Sequence, residues 1–342
     1  MKNNYARILL LFISFITFSC SLEDHVVPPA PVDVYIAGAQ DDQYGNPTAV
    51  YWKNGVPIVL STKYSQTSGI VLSGNDVYVS GHEADGTAKY WKNDVLVNVS
   101  DGSRSAASFA IFVSGSDVYI AGLEDATGVH SSAKYWKNGV SVRLSDGSNL
   151  VNVTGIAVSG NDVYVIGYEF NPVQGVYNAK YWKNGVAVSL TDNTNYSEAH
   201  DITISGNDVY ITGMENSNGF GVAKYWKNGV PVALVGGTNY MSAIAVTVSG
   251  NDVYVAGNEL NLNNTSVAKY WKNGKPVNLT NGKTMAYTSD IAISGNDVYV
   301  SGTEQSGPGG ISIVKYWKNG VPVNVSDGII PASAGSMVLK QR

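Results

Sequence analysis

The sequence predicts an all-β protein assembled from seven copies of one four-stranded unit, and three observations predict it. All seven tryptophans of the 342-residue chain, Trp52, Trp91, Trp136, Trp182, Trp226, Trp271 and Trp317, lie in copies of the motif read as Lys-Tyr-Trp-Lys-Asn-Gly from Lys269 to Gly274. A second marker, Asp-Val-Tyr, begins at Asp33, Asp76, Asp117, Asp162, Asp208, Asp252 and Asp297, at separations of 43, 41, 45, 46, 44 and 45 residues. Each unit holds short β-branched and aromatic runs, with no useful helical periodicity after the N-terminal segment. A repeat of this length overrides the two-domain expectation that chain length alone would give.

The sixth unit shows the elements in order. Val253-Tyr254-Val255-Ala256 is the first run, and Val267 to Trp271 follows a polar loop. Pro276-Val277-Asn278-Leu279 comes after Asn273-Gly274, and Ile291-Ala292-Ile293 precedes Ser294-Gly295-Asn296. Asn-Gly accepts positive φ at successive residues, which sets a tight hairpin whose twist matches its strands. Ser-Gly-Asn is a second short turn of similar chemistry. Four antiparallel strands per unit and a period in the low forties predict a seven-bladed β-propeller. The run before Ser-Gly-Asn is then the innermost strand A, Asp-Val-Tyr opens B, Tyr-Trp lies on C, and Pro-Val-x-Leu is the outer D. The first copy lacks a strand A, so the run Ser336 to Leu339 is expected to supply it and close the ring, removing exposed sheet edges.

This strand order resembles that of the WD40 repeat, in which a turn, a strand, a polar loop and a strand ending in Trp-Asp follow one another. Here Trp271 is followed by Lys272 and the Gly-His dipeptide is absent, so the resemblance implies strand order and not membership. The aromatic-Trp-x-Asn-Gly turn, which recurs along the seven units with Asn93-Asp94 in the second, is similar to that of bacterial extracellular repeat proteins.

The first nineteen residues comprise a short basic region (Lys2, Arg7), an apolar run from Ile8 to Phe18, and Ser19. The run is too short to span a bilayer and reads as an export signal. Cys20, the sole cysteine, excludes an intramolecular disulfide. Its place after the apolar run resembles the lipid-attachment cysteine of bacterial lipoproteins, which implies cleavage before Cys20, acylation there and a bacterial envelope location. An ordinary secretory signal containing Cys20 is the alternative, because Thr17-Phe18-Ser19 departs from the usual Leu-Ala-Gly type of box. Residues 20–32 end in a Pro-rich stretch and read as a tether, leaving 33–342 as one propeller domain. Net charge is −5 with only 14% charged residues, which excludes a basic field for nucleic acid.

One buried Trp per blade on a middle strand is expected to fill the layers between blades, in preference to a ring of ligand-stacking aromatics. Six units carry Glu after strand B (Glu83, Glu124, Glu169, Glu215, Glu259, Glu304) and Lys at the start of C (Lys89, Lys134, Lys180, Lys224, Lys269, Lys315). The first has Gln40 and Val50 instead. Coupled loss of both charges favours cross-strand ion pairs, of about 0.2–1 kcal/mol each, over a cation-binding ring of carboxylates.

The A–B and C–D turns are short and uniform and share one face of the disc. The B–C and D–A loops vary and share the other, where a binding site is expected. Tyr64, Tyr196 and Tyr240 hold one offset in the D–A loops, either as stacking groups or as anchors tucked between blades. Phe170, Tyr177 and Phe220, in the long B–C loops of units four and five, suit an exposed contact patch. At the top of strand A, Asp201 (beside His200) and Asp290 interrupt a row of small residues. They read either as solvated strand caps or as channel-mouth oxygens for Ca²⁺. The four histidines are scattered, and no nucleophile elbow, metal-ligand spacing or phosphate loop occurs. The expectation is a non-catalytic, envelope-anchored binding propeller for a protein or glycan, with no cofactor or metal. A carbohydrate-active hydrolase or lyase on the same scaffold is the alternative.

Overall fold

A computed structural model describes residues 31–125, 130–236 and 239–342; the export signal, Cys20 and nearly all of the tether lie outside them. The described residues form twenty-eight strands in seven four-stranded antiparallel sheets, each ordered A-B-C-D from the axis outward. Blade 4 is representative: A is Val151–Ser159, B Asp162–Asn171, C Val176–Lys183 and D Val186–Ser189. Blade 1 takes its strand A from the C-terminus. Ala332–Gln341 pairs antiparallel with Val32–Asp41, from Val32↔Gln341 to Gln40↔Ala332. The ring closes as the sequence predicts.

Each C–D hairpin turns on an Asn at positive φ, such as Asn273 (φ 50), followed by Gly274 (φ 77). In blade 2 the second residue is Asp94 (φ 68), a residue whose short side chain tolerates the left-handed region. Strand A of each blade carries a bulge, for example between Val153 and Gly155 against Val153↔Gly167. The bulge presses a strand A carbonyl onto a strand B glycine: a Cβ on Gly167 would lie 1.9 Å from Asn152 O. That position therefore admits only glycine.

The core lies between blades. Every Trp is at most 2% exposed. Trp271 of blade 6 packs on Tyr210 and Ala223 of blade 5, whereas Tyr270, beside it on the strand, packs toward Val298 of blade 7. Alternation along strand C thus sends the Trp to the preceding blade and the Tyr to the following one.

Two polar arrays hold the rims. On the variable face the six expected Glu–Lys pairs all form. They are diagonal and not directly opposed: Gly257 faces Lys269, and Glu259 faces Val267. These pairs are largely shielded, Lys89 and Glu83 to 2% and 5% exposure and the others to between 5% and 20%, so the surface value expected from the sequence understates their mutual dependence. On the uniform face each Asp-Val-Tyr aspartate accepts hydrogen bonds from the turn Asn and pairs with the Lys before it, as Asp252 does with Asn273 (2.7 Å) and Lys272 (2.8 Å). That Lys lies over the strand B tyrosine, 5.1 Å from the Tyr254 centroid. The array repeats in all seven blades.

Candidate functional site

The variable face departs most from the repeat where strand A of blade 5 (Ser197–Ser205) begins. Equivalents of Glu198 are Gln66, Ala107, Asn152, Ser242, Tyr287 and Ser333, so Glu198 is the one carboxylate in its row. Two residues on, Ser68, Thr154 and Ser289 each donate a hydroxyl to a carbonyl of the next blade. His200 occupies the same row and places Nδ1 2.8 Å from Ala243 O. A carbonyl only accepts, so Nδ1 carries a proton, and Nε2 faces Glu198 Oε2 at 2.9 Å. Burial opposes the charge of Glu198, but hydrogen bonds from His200 and Tyr196 outweigh it and hold the carboxyl below its ordinary value.

An aromatic cluster adjoins this pair through Tyr196, whose hydroxyl donates to Glu198 Oε1. Tyr177 stands edge-on to Phe170 (5.4 Å between centroids), Tyr168 (5.5 Å) and Tyr196 (6.2 Å). Burial, with the Glu198 charge second, pushes the Tyr168 hydroxyl up to about 12. The same two causes raise Tyr240, whose hydroxyl donates to Met214 Sδ. Phe170 and Tyr177 lie not in a loop but opposite one another on extended strands B and C of blade 4, and Phe220 begins strand C of blade 5. Cross-strand aromatic pairing has lengthened the hairpin beyond the repeat's usual bounds. Phe220 (54% exposed) and Tyr64 (50%) stay open, but Tyr64, in blade 2, is not among the rings of this cluster.

Below this cluster, the seven A strands enclose an axial cavity of about 450 Å³, lined in part by His200, Asp201 and Asp290. Asp290 Oδ1 accepts the Ile291 amide of its own strand (2.7 Å), but both aspartates also reach across to the next blade. Asp201 Oδ2 accepts from the Val246 amide of blade 6 (2.8 Å), and Asp290 Oδ2 accepts from the Met337 amide (2.7 Å) and Ser336 Oγ (3.0 Å) of blade 1. Burial raises both carboxyls, and the charge of Asp201 helps push Asp290 up to about 7. Among the described residues no three His, Cys, Asp or Glu side chains converge as metal ligands.

The structure thus joins Tyr196, Phe170 and Tyr177 of the sequence candidates in one cluster, with Tyr240 linked to it through Glu198. Asp201 and Asp290 lie in the cavity beneath, and Tyr64 and Phe220 stand apart. Glu198, His200 and Tyr168 are the additions. Row-by-row alignment of strand A carried the signal for Glu198, since no other unit has an acid there.

No protein-family model and no curated protein matches the chain. Among solved structures, a puromycin-hydrolysing peptidase of Mycobacterium tuberculosis superposes with a TM-score of 0.60 at 11% identity, covering 86% of this chain and 51% of that one. This chain therefore spans about half the length of that peptidase. A protein described as a putative TolB of Agrobacterium tumefaciens gives 0.44 at 8% identity over 91% and 99% of the two chains. AofleA of Arthrobotrys oligospora gives 0.43 at 13% over 80% and 88%. At these identities the likeness to the peptidase concerns the fold alone: the chain is a seven-bladed β-propeller.

Proposed function

We propose that the protein is a non-catalytic binding propeller, held at a bacterial envelope through acylated Cys20, whose variable face recognises a glycan or a protein. The observation that carries the recognition site is the cluster of Tyr168, Phe170, Tyr177 and Tyr196, joined to the Glu198–His200 pair through the Tyr196 hydroxyl, beside the axial cavity that His200 lines. Aromatic walls with a few fixed polar groups are the usual make-up of a ligand site. Position after the apolar run supports Cys20 as the anchor.

A hydrolase or lyase would draw on Asp201 and Asp290, but both carboxylates are engaged by amides of the neighbouring blade. Glycan-array and pull-down binding without product formation is expected. Tyr177→Ala should weaken that binding about tenfold, a loss of ~1.4 kcal/mol. Turnover of a glycan that disappears in Asp201→Asn or Asp290→Asn would reverse the proposal in favour of the enzyme. Fatty-acid label retained by Cys20→Ala would remove the anchor.

A further inference from the structure

Two clefts open on the uniform face, each between the two tyrosines of one blade and the C–D turn of the next. Between blades 2 and 3, Tyr78, Tyr90, Lys92, Asn138 and Gly139 border a space of about 310 Å³. Between blades 4 and 5, Tyr164, Tyr181, Lys183, Asn228 and Gly229 border one of about 190 Å³. The same side chains recur at the other junctions, because they belong to the repeated motif. Each offers a tyrosine wall and a tyrosine hydroxyl at the start of a turn, beside a lysine whose ammonium is held by the strand B aspartate (Lys92–Asp76 2.9 Å, Lys183–Asp162 2.7 Å).

One junction differs. Between blades 1 and 2 the turn glycine is replaced by Asp94, and its Oδ1 accepts a hydrogen bond from the Tyr51 hydroxyl at 3.0 Å. In the other six junctions the turn residue is Gly139, Gly185, Gly229, Gly274, Gly320 or Gly55. Among the described residues the facing hydroxyls of Tyr90, Tyr135, Tyr181, Tyr225, Tyr270 and Tyr316 have no hydrogen-bond partner. A Cβ built on Gly139 or Gly229 would meet nothing within 4 Å. The chain itself thus shows what the cleft accepts: a carboxylate, seated on the tyrosine hydroxyl.

We infer that the six glycine-turn clefts each take one carboxylate-bearing sugar unit of a repeating acidic polysaccharide. The tyrosine ring supplies the wall for the sugar, the hydroxyl donates to its carboxylate as Tyr51 does to Asp94, and Asp94 closes the seventh position from within. A cleft this small holds a single polar unit. The circular repetition converts weak single contacts into avidity for a polymer that presents the unit many times.

Polygalacturonate, galacturonic acid and neutral dextran are the probes, with affinity electrophoresis for the polymers and titration calorimetry for the monomer. Polygalacturonate should bind at least ~10²-fold more tightly than the monomer, and dextran should not retard the protein. Asp94→Gly should strengthen binding by opening a seventh site. Gly139→Asp with Gly229→Asp should weaken it, on the precedent that Asp94 already occupies such a turn at φ 68. Tyr90→Phe with Tyr181→Phe, which keeps both rings and the fold, should weaken it as well. Absence of polygalacturonate binding overturns the inference, as does equal retardation by dextran. So does binding that ignores both the tyrosine pair and Asp94→Gly, or that is lost in Tyr177→Ala, which alters only the opposite face.

Discussion

Replacing Lys269 by Val isolates how much the buried ion pairs depend on each other. Lys269 is 5% exposed and Glu259 13%, and the ammonium hydrogen-bonds the carboxylate while lying 5.7 Å from the Trp271 ring. Lys269→Val leaves the Glu259 charge buried without its partner, which costs about 3–5 kcal/mol. Glu259→Gln strands the ammonium and falls in the same range. The double variant removes both charges and reproduces what blade 1 already has, Gln40 with Val50 buried at 1% exposure. Its loss should shrink to ~1–2 kcal/mol, the share of the lysine stem's packing. Urea denaturation of the four proteins closes the cycle. A double variant as unstable as the sum of the singles would refute the reasoning, since neighbouring charges must couple.

Asp290 gives a pH signature. The unfolded chain ionises it near 3.8 and the folded chain near 7, so the folded state binds the extra proton between those values. Stability contributed by this group therefore falls as pH rises from about 4 to 7. Asp290→Asn should flatten that decline in thermal melts, and an unchanged slope would contradict it. Deleting residues 333–342 removes the strand that completes blade 1 and should lower the melting midpoint sharply; identical curves would exclude a structural role for the closure. Gly167→Ala forces a Cβ to within 1.9 Å of Asn152 O and should cost at least ~3 kcal/mol in chemical denaturation.

Period and turn chemistry made the ring legible, because Trp271 and Asn273-Gly274 do the same job in each blade and say so by recurring. The Glu259–Lys269 pairing was legible from its loss in a single unit, but its burial was not, since no strand register shows how deeply an inter-blade layer covers a rim. The site was less readable. Glu198 and His200 meet across a bulge between Ala199 and Asp201, and a bulge has no sequence mark apart from the glycine opposite it. Phe170 and Tyr177 looked like loop residues because hairpin length is decided by cross-strand partners that the linear sequence separates. The uniform face gives no such signal, because its residues agree in nearly every repeat, although agreement is also how a multivalent surface would be written.

The seam in blade 1 joins strands some three hundred residues apart, whereas the other blades pair strands that are neighbours in the chain. During synthesis, six blades can form as they emerge while Val32–Asp41 waits with an unpaired edge for the last ten residues. Completion of the disc is thus a late, high-contact-order step. Its entropic cost grows only logarithmically with the intervening length, so once made the seam is little weaker than a hairpin. Slow closing with firm holding makes this blade the kinetic gate of the molecule, and pulsed hydrogen exchange during refolding should find its amides among the last to gain protection.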